Sequence, residues 1–288
     1  MKRAALWVLA GVLTLAAAFY QRRTGPTYPL RESETLCGQL LSYRLERSAV
    51  LTRPFRVKVP VPEGAGITGR VEYQRYKKGD AWNPERTVDM TYGLVSLTHG
   101  GEKNIPALTA PLSWPGEEDG RPPMAGKLAY KATLSCGGET AELNKGRPVI
   151  IRFRGDVPPW VMIPHILAMF LAMLFGTAAG LEALRPGGKP RRPALWTLLL
   201  IILGGFFLGP IMQKYAFGAW WTGFPFGSDL TDNKTLIVFL GWLGALLLGR
   251  KGRGERYWIL GAAALMLVIY LVPHSLLGSE FDYTALGP

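Results

Sequence analysis

Five stretches of this chain approach the length at which an α-helix crosses a hydrocarbon core, about 20 apolar residues at 1.5 Å rise each. Ala4 to Tyr20 carries no charge. Trp160 to Leu181 holds a single histidine, and Ala194 to Met212 is uninterrupted. Thr235 to Gly249 is clean but only 15 residues long, and Tyr257 to Val272 stops just before Pro273-His274. Between the first two runs, residues 21–157 are charged and rich in turn formers. The sequence therefore predicts an α+β membrane protein in three parts. Residues 1–20 form a transmembrane helix or signal peptide, 21–157 an extracytoplasmic antiparallel β-sandwich, and 158–288 a four-helix transmembrane bundle. Its spans fall at about 160–184, 194–213, 235–249 and 257–274.

Lys and Arg accumulate in cytoplasmic loops and so orient the spans. Lys2 and Arg3, then Arg185, Lys189, Arg191 and Arg192, then Arg250, Lys251, Arg253 and Arg256 fall on one side, against Glu182 and Glu255 alone. The opposite connections hold Lys214 and Lys234 against Asp229, Asp232, Glu280 and Asp282. The net charge of +12 mostly records topology and argues against nucleic acid as a partner. This order puts the N-terminus in the cytoplasm and residues 21–157, the connection around Trp221 and the C-terminus outside. Arg22 and Arg23 oppose it, but a long translocated segment matters less to the rule. The basic start, apolar run and Ala16-Ala17-Ala18 also fit a cleaved signal peptide.

Residues 21–157 alternate with the period of half-buried strands. Phe55-Arg-Val57-Lys-Val59 puts apolar groups on one face and basic ones on the other; Ile67 to Tyr76, Leu128 to Leu134 and Val149 to Phe153 read similarly. Clusters at Pro60–Gly66, Lys78–Pro84, Pro115–Pro123 and Gly137-Gly138 separate them. Leu36 to Arg47 fits a strand or a short helix. Cys37 and Cys136 are the chain's two cysteines. An oxidising compartment favours a disulfide between them; two buried free thiols are the alternative. His99 is the domain's single histidine and reads as a surface turn residue.

The connection KYAFGAWWTGFPFGSDLTDNK, Lys214 to Lys234, joins two spans. Trp220 and Trp221, with Trp160 and Tyr215, suit an interfacial aromatic belt. An Asp or Thr near Asp229 suits a helix cap. Because the following run is short, Phe217 to Phe226 is expected to dip into the outer leaflet. His165 and His274 fall toward the same outer ends of two spans. Together with Asp229, Asp232 or Glu280 they could line a pocket, ligating haem b iron, holding another metal with a carboxylate or hydrogen-bonding a quinone. Gly176, Ala179, Gly180, Gly204, Gly205, Gly209, Gly241 and Gly244 suit close helix contacts. Met162, Met169 and Met173 read as apolar fillers.

FRVKVPVP, GKLAYKATL, RPVIIRFRGDVP, WTGFPFGSDLTDNKT and the VPHS ending resemble uncharacterised bacterial multi-span membrane proteins with an outward β-domain. The resemblance covers about residues 50 to 283 and implies the arrangement and a bacterial inner membrane, but no activity. No nucleophile elbow, phosphate loop or cysteine–histidine metal spacing is present. The expected function is non-catalytic: an accessory, assembly or sensing subunit in the bilayer, presenting its β-domain to another membrane or periplasmic protein. The alternative is a redox, metal- or quinone-binding protein using His165 and His274.

Overall fold

A computed structural model describes residues 3–96, 104–116, 120–249 and 254–273. His99, His274 and Glu280 lie outside them. The described residues divide into a β unit, residues 27–156, and a helical unit, residues 3–26 and 157–273.

In the β unit, β1 (Leu30–Leu36) and β2 (Gln39–Leu45) form a hairpin, so the ambiguous segment around Leu36 is strand. Its two-residue turn is Cys37-Gly38, both at positive φ, the geometry that matches strand twist. Six strands make the largest sheet. They are β3 (Ser48–Val50), β5 (Thr68–Arg75), β6 (Arg86–Asp89), β9 (Lys127–Cys136), β10 (Glu139–Glu142) and β11 (Val149–Arg154), ordered β3-β11-β9-β5-β6 with β10 paired to β9. The β9–β10 turn is Gly137-Gly138, again with φ positive at both. A third sheet orders β4 (Arg56–Pro60), β8 (Asn104–Pro111) and β7 (Thr91–Ser96) as β4-β8-β7.

All pairs are antiparallel except β3 with β11, which departs from the purely antiparallel expectation. Most of β1 and strands β3, β6, β7, β8 and β10 are not among the runs that alternation marks; Gly93 and Pro106 interrupt the pattern on β7 and β8. The sulfurs of Cys37 and Cys136 lie 2.12 Å apart, joining the tips of the two hairpins across 99 residues of sequence. The backbone N–H of Cys37 also donates to Glu139 Oε2 at 3.0 Å.

Alternation decides what is buried. Leu128, Tyr130, Ala132 and Leu134 of β9 meet Val71 and Tyr73 of β5, Val57 and Val59 of β4, and Leu108 of β8 in one core. Trp114, almost fully buried, packs so closely on Gly126 that a Cβ there would lie 3.0 Å from its ring.

Among the described residues, the helical unit contains five helical segments long and apolar enough to cross a membrane. They are α1 (Arg3–Thr24), α2 (Pro159–Leu184), a segment from Arg191 to Phe217, α5 (Leu230–Leu248) and α6 (Gly254–Leu271). The third is α3 (Arg191–Ile201), a π-helical stretch (Ile202–Leu208) and α4 (Gly209–Phe217) in succession. α1 packs into the unit, burying Leu6 and Ala10 against Ala178 and setting Trp7 edge-on to Phe175. α5 begins five residues earlier than the apolar run implied. Leu230 to Lys234 are its first turn, so it reaches 19 residues without help from the preceding loop.

Close contacts rest on small residues, as expected where lipid offers no hydrophobic drive between helices. A Cβ on Gly176 would meet Met266 Cε at 2.2 Å, and one on Gly180 would meet Ala263 Cβ at 2.7 Å. Gly205 faces Thr235 and Gly241 faces Leu265 at similar range, whereas Gly244 faces open space.

Candidate functional site at the loop end of the helical unit

Gly218, left-handed at φ +80°, ends α4 and starts the aromatic loop. The loop is then clamped onto the first turn of α5. Asp229 Oδ1 accepts from the N–H groups of Thr231 at 2.8 Å and Asp232 at 3.3 Å, an N-cap that also suits the helix dipole. Asp232 points back: its Oδ2 accepts from Thr222 N–H at 2.7 Å and the Thr222 hydroxyl at 3.2 Å. That hydroxyl in turn accepts from Gln213 Nε2 at 2.6 Å. Asn233 Oδ1 accepts from Phe224 N–H at 2.7 Å, beside the cis Phe224–Pro225 bond. Gly223 lies against Asp232, where a Cβ would come within 2.5 Å of the Asp232 Cβ. Gln213 and Asn233 were not anticipated; both have neutral amides, which carry no spacing signal.

The loop's aromatics divide. Trp221 stacks on Phe206 with ring centroids 5.6 Å apart, and Phe206 meets Phe239 at 4.9 Å. Trp220, Phe224 and Phe226 face outward, with Phe226 82 % exposed. Trp160 sets an edge against Tyr215 at 6.3 Å. Lys214 Nζ donates to Gly218 O at 2.8 Å and lies 5.9 Å from the Trp220 ring.

His165 makes its hydrogen bond away from both aspartates. Its Nδ1 lies 2.9 Å from the carbonyl oxygen of Gly204. A carbonyl only accepts, so Nδ1 is the donor in this contact and Nε2 is the ring nitrogen left for another partner. Gly204 O also accepts from Gly209 N–H, five residues on. Pro210 follows without an N–H, which accounts for a π-helical stretch at this place. His274 and Glu280, the other members of the expected pocket, lie outside the described residues.

Gln21 is not anticipated in this region, and the sequence shows Lys234 only as a charge of the connecting loop. Lys234 is buried, and its Nζ donates to the carbonyls of Val272 and Pro273, closing the C-terminal end of α6. Gln21 Nε2 donates to Tyr270 O at 3.0 Å. With Thr231 and Tyr270 they border a cavity of about 20 Å³, room for about one water.

At the opposite end of the helices the polar groups are charged and meet one another. Glu182, almost fully buried, lies 3.0 Å from Arg185 Nη2 and 3.7 Å from Arg3 Nε, and it also accepts from Lys189 N–H. Arg191 lies 3.2 Å from Glu255, and Arg256 donates to the carbonyl of Arg185. Glu182 was legible only as one acid in a basic loop.

Among the described residues, no group of three or more His, Cys, Asp or Glu side chains is arranged to hold a metal ion. The oxygens of Asp229 and Asp232 engage backbone N–H groups instead. The arrangement holds a loop in one shape. Comparison with protein-family models, curated proteins and solved structures gives no match.

Proposed function

We propose that the protein is an integral protein of a bacterial inner membrane. Its helical unit anchors a β unit that docks a partner outside the cytoplasm, in a non-catalytic accessory, assembly or sensing role. Five apolar helices support the membrane assignment. The cluster of Arg3, Arg185, Lys189, Arg191 and Arg192 at one end of the helices supports a cytoplasmic placement for that end. In this reading α1 stays as the fifth helix, and residues 27–156 form a two-layered sandwich on the other side.

The docking role is carried by one observation. Strand β7 is at the edge of its sheet, and it turns Tyr92 and Leu94, 51 % and 66 % exposed, outward on the same face. An edge strand with an apolar row is a template for strand addition by an extended segment of another protein. The test is a photo-crosslinking residue at Tyr92 in the full-length protein in cells, with one at Thr87 of β6 as control. A discrete protein adduct from position 92, lost on Leu94→Arg, is the expected result. An adduct no stronger than that from position 87, in protein that keeps its disulfide, overturns it.

A second reading rests on His165. Its Nε2, the ring nitrogen not engaged by Gly204, would be the atom that ligates a haem iron or another metal or hydrogen-bonds a quinone, with His274 as the expected second ligand. A Soret band lost on His165→Ala, or stoichiometric metal by elemental analysis, would favour it over docking alone.

A further inference from the structure

A groove of about 640 Å³ opens in the β unit around the turn from β3 to β4, within the size range of small-molecule sites. Arg44, Arg53, Arg56, Lys58 and Arg154 line it, with Glu46 as the one acidic lining residue. Arg44 lies 2.7 Å from Glu46 and so engages that carboxylate. Arg53, Arg56 and Arg154 have no acidic side-chain partner among the described residues. Their convergence has a simple origin. Arg56 and Lys58 share the face of β4 opposite to Val57 and Val59, which are sunk in the core. Arg154 ends β11, where it pairs with Val50. Arg53 stands in the five-residue connection between β3 and β4.

The rest of the lining is mostly apolar. Phe55 packs against Tyr130 and Phe153, each ring centroid 6.3 Å away, and Ala49, Val50 and Pro54 continue its surface. Neutral hydrogen-bonding side chains are scarce: Ser48 and the Tyr130 hydroxyl are those in the lining. Tyr130 donates to the carbonyl of Glu46 at 3.1 Å. Burial and the adjacent Glu46 push its hydroxyl well above the usual range, so it stays a neutral donor. Side-chain acceptors for the hydroxyl hydrogens of a sugar or the amino groups of a base are few here, because Arg44 engages the one carboxylate, Glu46. A cleft lined by one sign of charge concentrates the opposite sign, and guanidinium groups match carboxylate and phosphate geometry.

We propose that this groove binds an anionic amphiphile, its acidic head group held by Arg53, Arg56 and Arg154 and its apolar chain laid along Phe55, Val50 and Pro54. The site does not depend on the docking edge at β7, which belongs to a different strand.

The test uses full-length protein in nanodiscs of zwitterionic lipid and a fatty acid bearing a diazirine in its chain and a free carboxylate. Labelling of peptides spanning residues 44–60 is expected. Arg56→Glu combined with Arg154→Glu lowers it by about tenfold or more, the scale of losing charged hydrogen bonds. Arg147→Glu, an exposed charge in the same unit, leaves it unchanged. The Cys37–Cys136 disulfide and monodisperse elution verify folding. Where the glutamate pair fails to fold, Arg56→Gln with Arg154→Gln is expected to give a smaller loss of the same sign. Equal labelling by a phosphatidylcholine with the same diazirine chain overturns the proposal. So does labelling that survives both arginine changes in folded protein. Complete displacement by inorganic phosphate also overturns it, because a free anion would then be the ligand.

Discussion

In the β unit, a covalent bond ties two hairpin tips 99 residues apart in sequence. In the helical unit, neighbouring helices come into close contact where Gly176, Gly180 and Gly205 leave no side chain in the way. Solvent explains the contrast. In the placement proposed above, the sheet unit faces water and gains from restricting its unfolded chain. In the same proposed placement the helices lie among lipid tails, where burying apolar surface against one another gains little, so they rely on contact and on satisfied backbone ends. The two ends of the helical unit repeat the contrast on a smaller scale. At one end, charged side chains meet each other around Glu182. At the other, Asp229, Asp232 and Lys234 hold backbone groups that would otherwise stay unsatisfied.

The sharpest way to break this comparison is to remove the disulfide. Cys37→Ser with Cys136→Ser is expected to cost the β unit about 4–5 kcal/mol on the chain-entropy model. Peptide-resolved hydrogen exchange should then show lost protection in residues 27–156 and none in α2 or α6. An equal loss in the helices would mean that the two units do not unfold separately.

Gly176→Leu comes next. It forces a side chain into Met266 and Trp242, and overpacking of this kind costs about 3 kcal/mol. The thermal midpoint in detergent should fall while β-unit exchange stays as it was.

Asp232→Ala is expected to cost about 2 kcal/mol, because it strips an acceptor from the Thr222 N–H. Faster exchange of that amide and a shifted Trp221 emission would report the freed loop. Asp232→Asn keeps an acceptor oxygen and should lose less; equal losses would show that the hydrogen bond contributes nothing.

The smallest effect belongs to Glu255→Gln. Its partner Arg191 is 43 % exposed, so the pair contributes under about 1 kcal/mol. A larger drop in the thermal midpoint would mean that this end relies on its charges more than exposure suggests.

Much of this was readable in advance where the signal is periodic. Val57 and Val59 alternate with Arg56 and Lys58, and β4 forms there with the valines inside. Gly137-Gly138 marks a turn and forms one. The start of α5 was misplaced because polarity was taken as a sign of loop; Thr231, Asp232, Asn233 and Lys234 are helical once Asp229 caps them. β8 was missed because Pro106 and Gly93 break the pattern on it and on its partner β7. The candidate site was legible only in part. The capping of α5 near Asp229 was foreseen, whereas the hold of Asp232 on Thr222 was not. His165 was noticed for its type, but its partner Gly204 lies 39 residues away on another helix.

The sequence by itself determined the division into a turn-rich sheet unit and apolar helices, and glycines such as Gly176 and Gly180 on which helices close. Those follow from period, length and side-chain size, which are local properties of a chain. Only the tertiary structure decided that Arg53, Arg56 and Arg154 share a groove, that His165 meets a π-helical carbonyl, and that Lys234 closes α6. Each of these joins residues that strand register or helix packing brings together, and such pairings leave no trace in local composition.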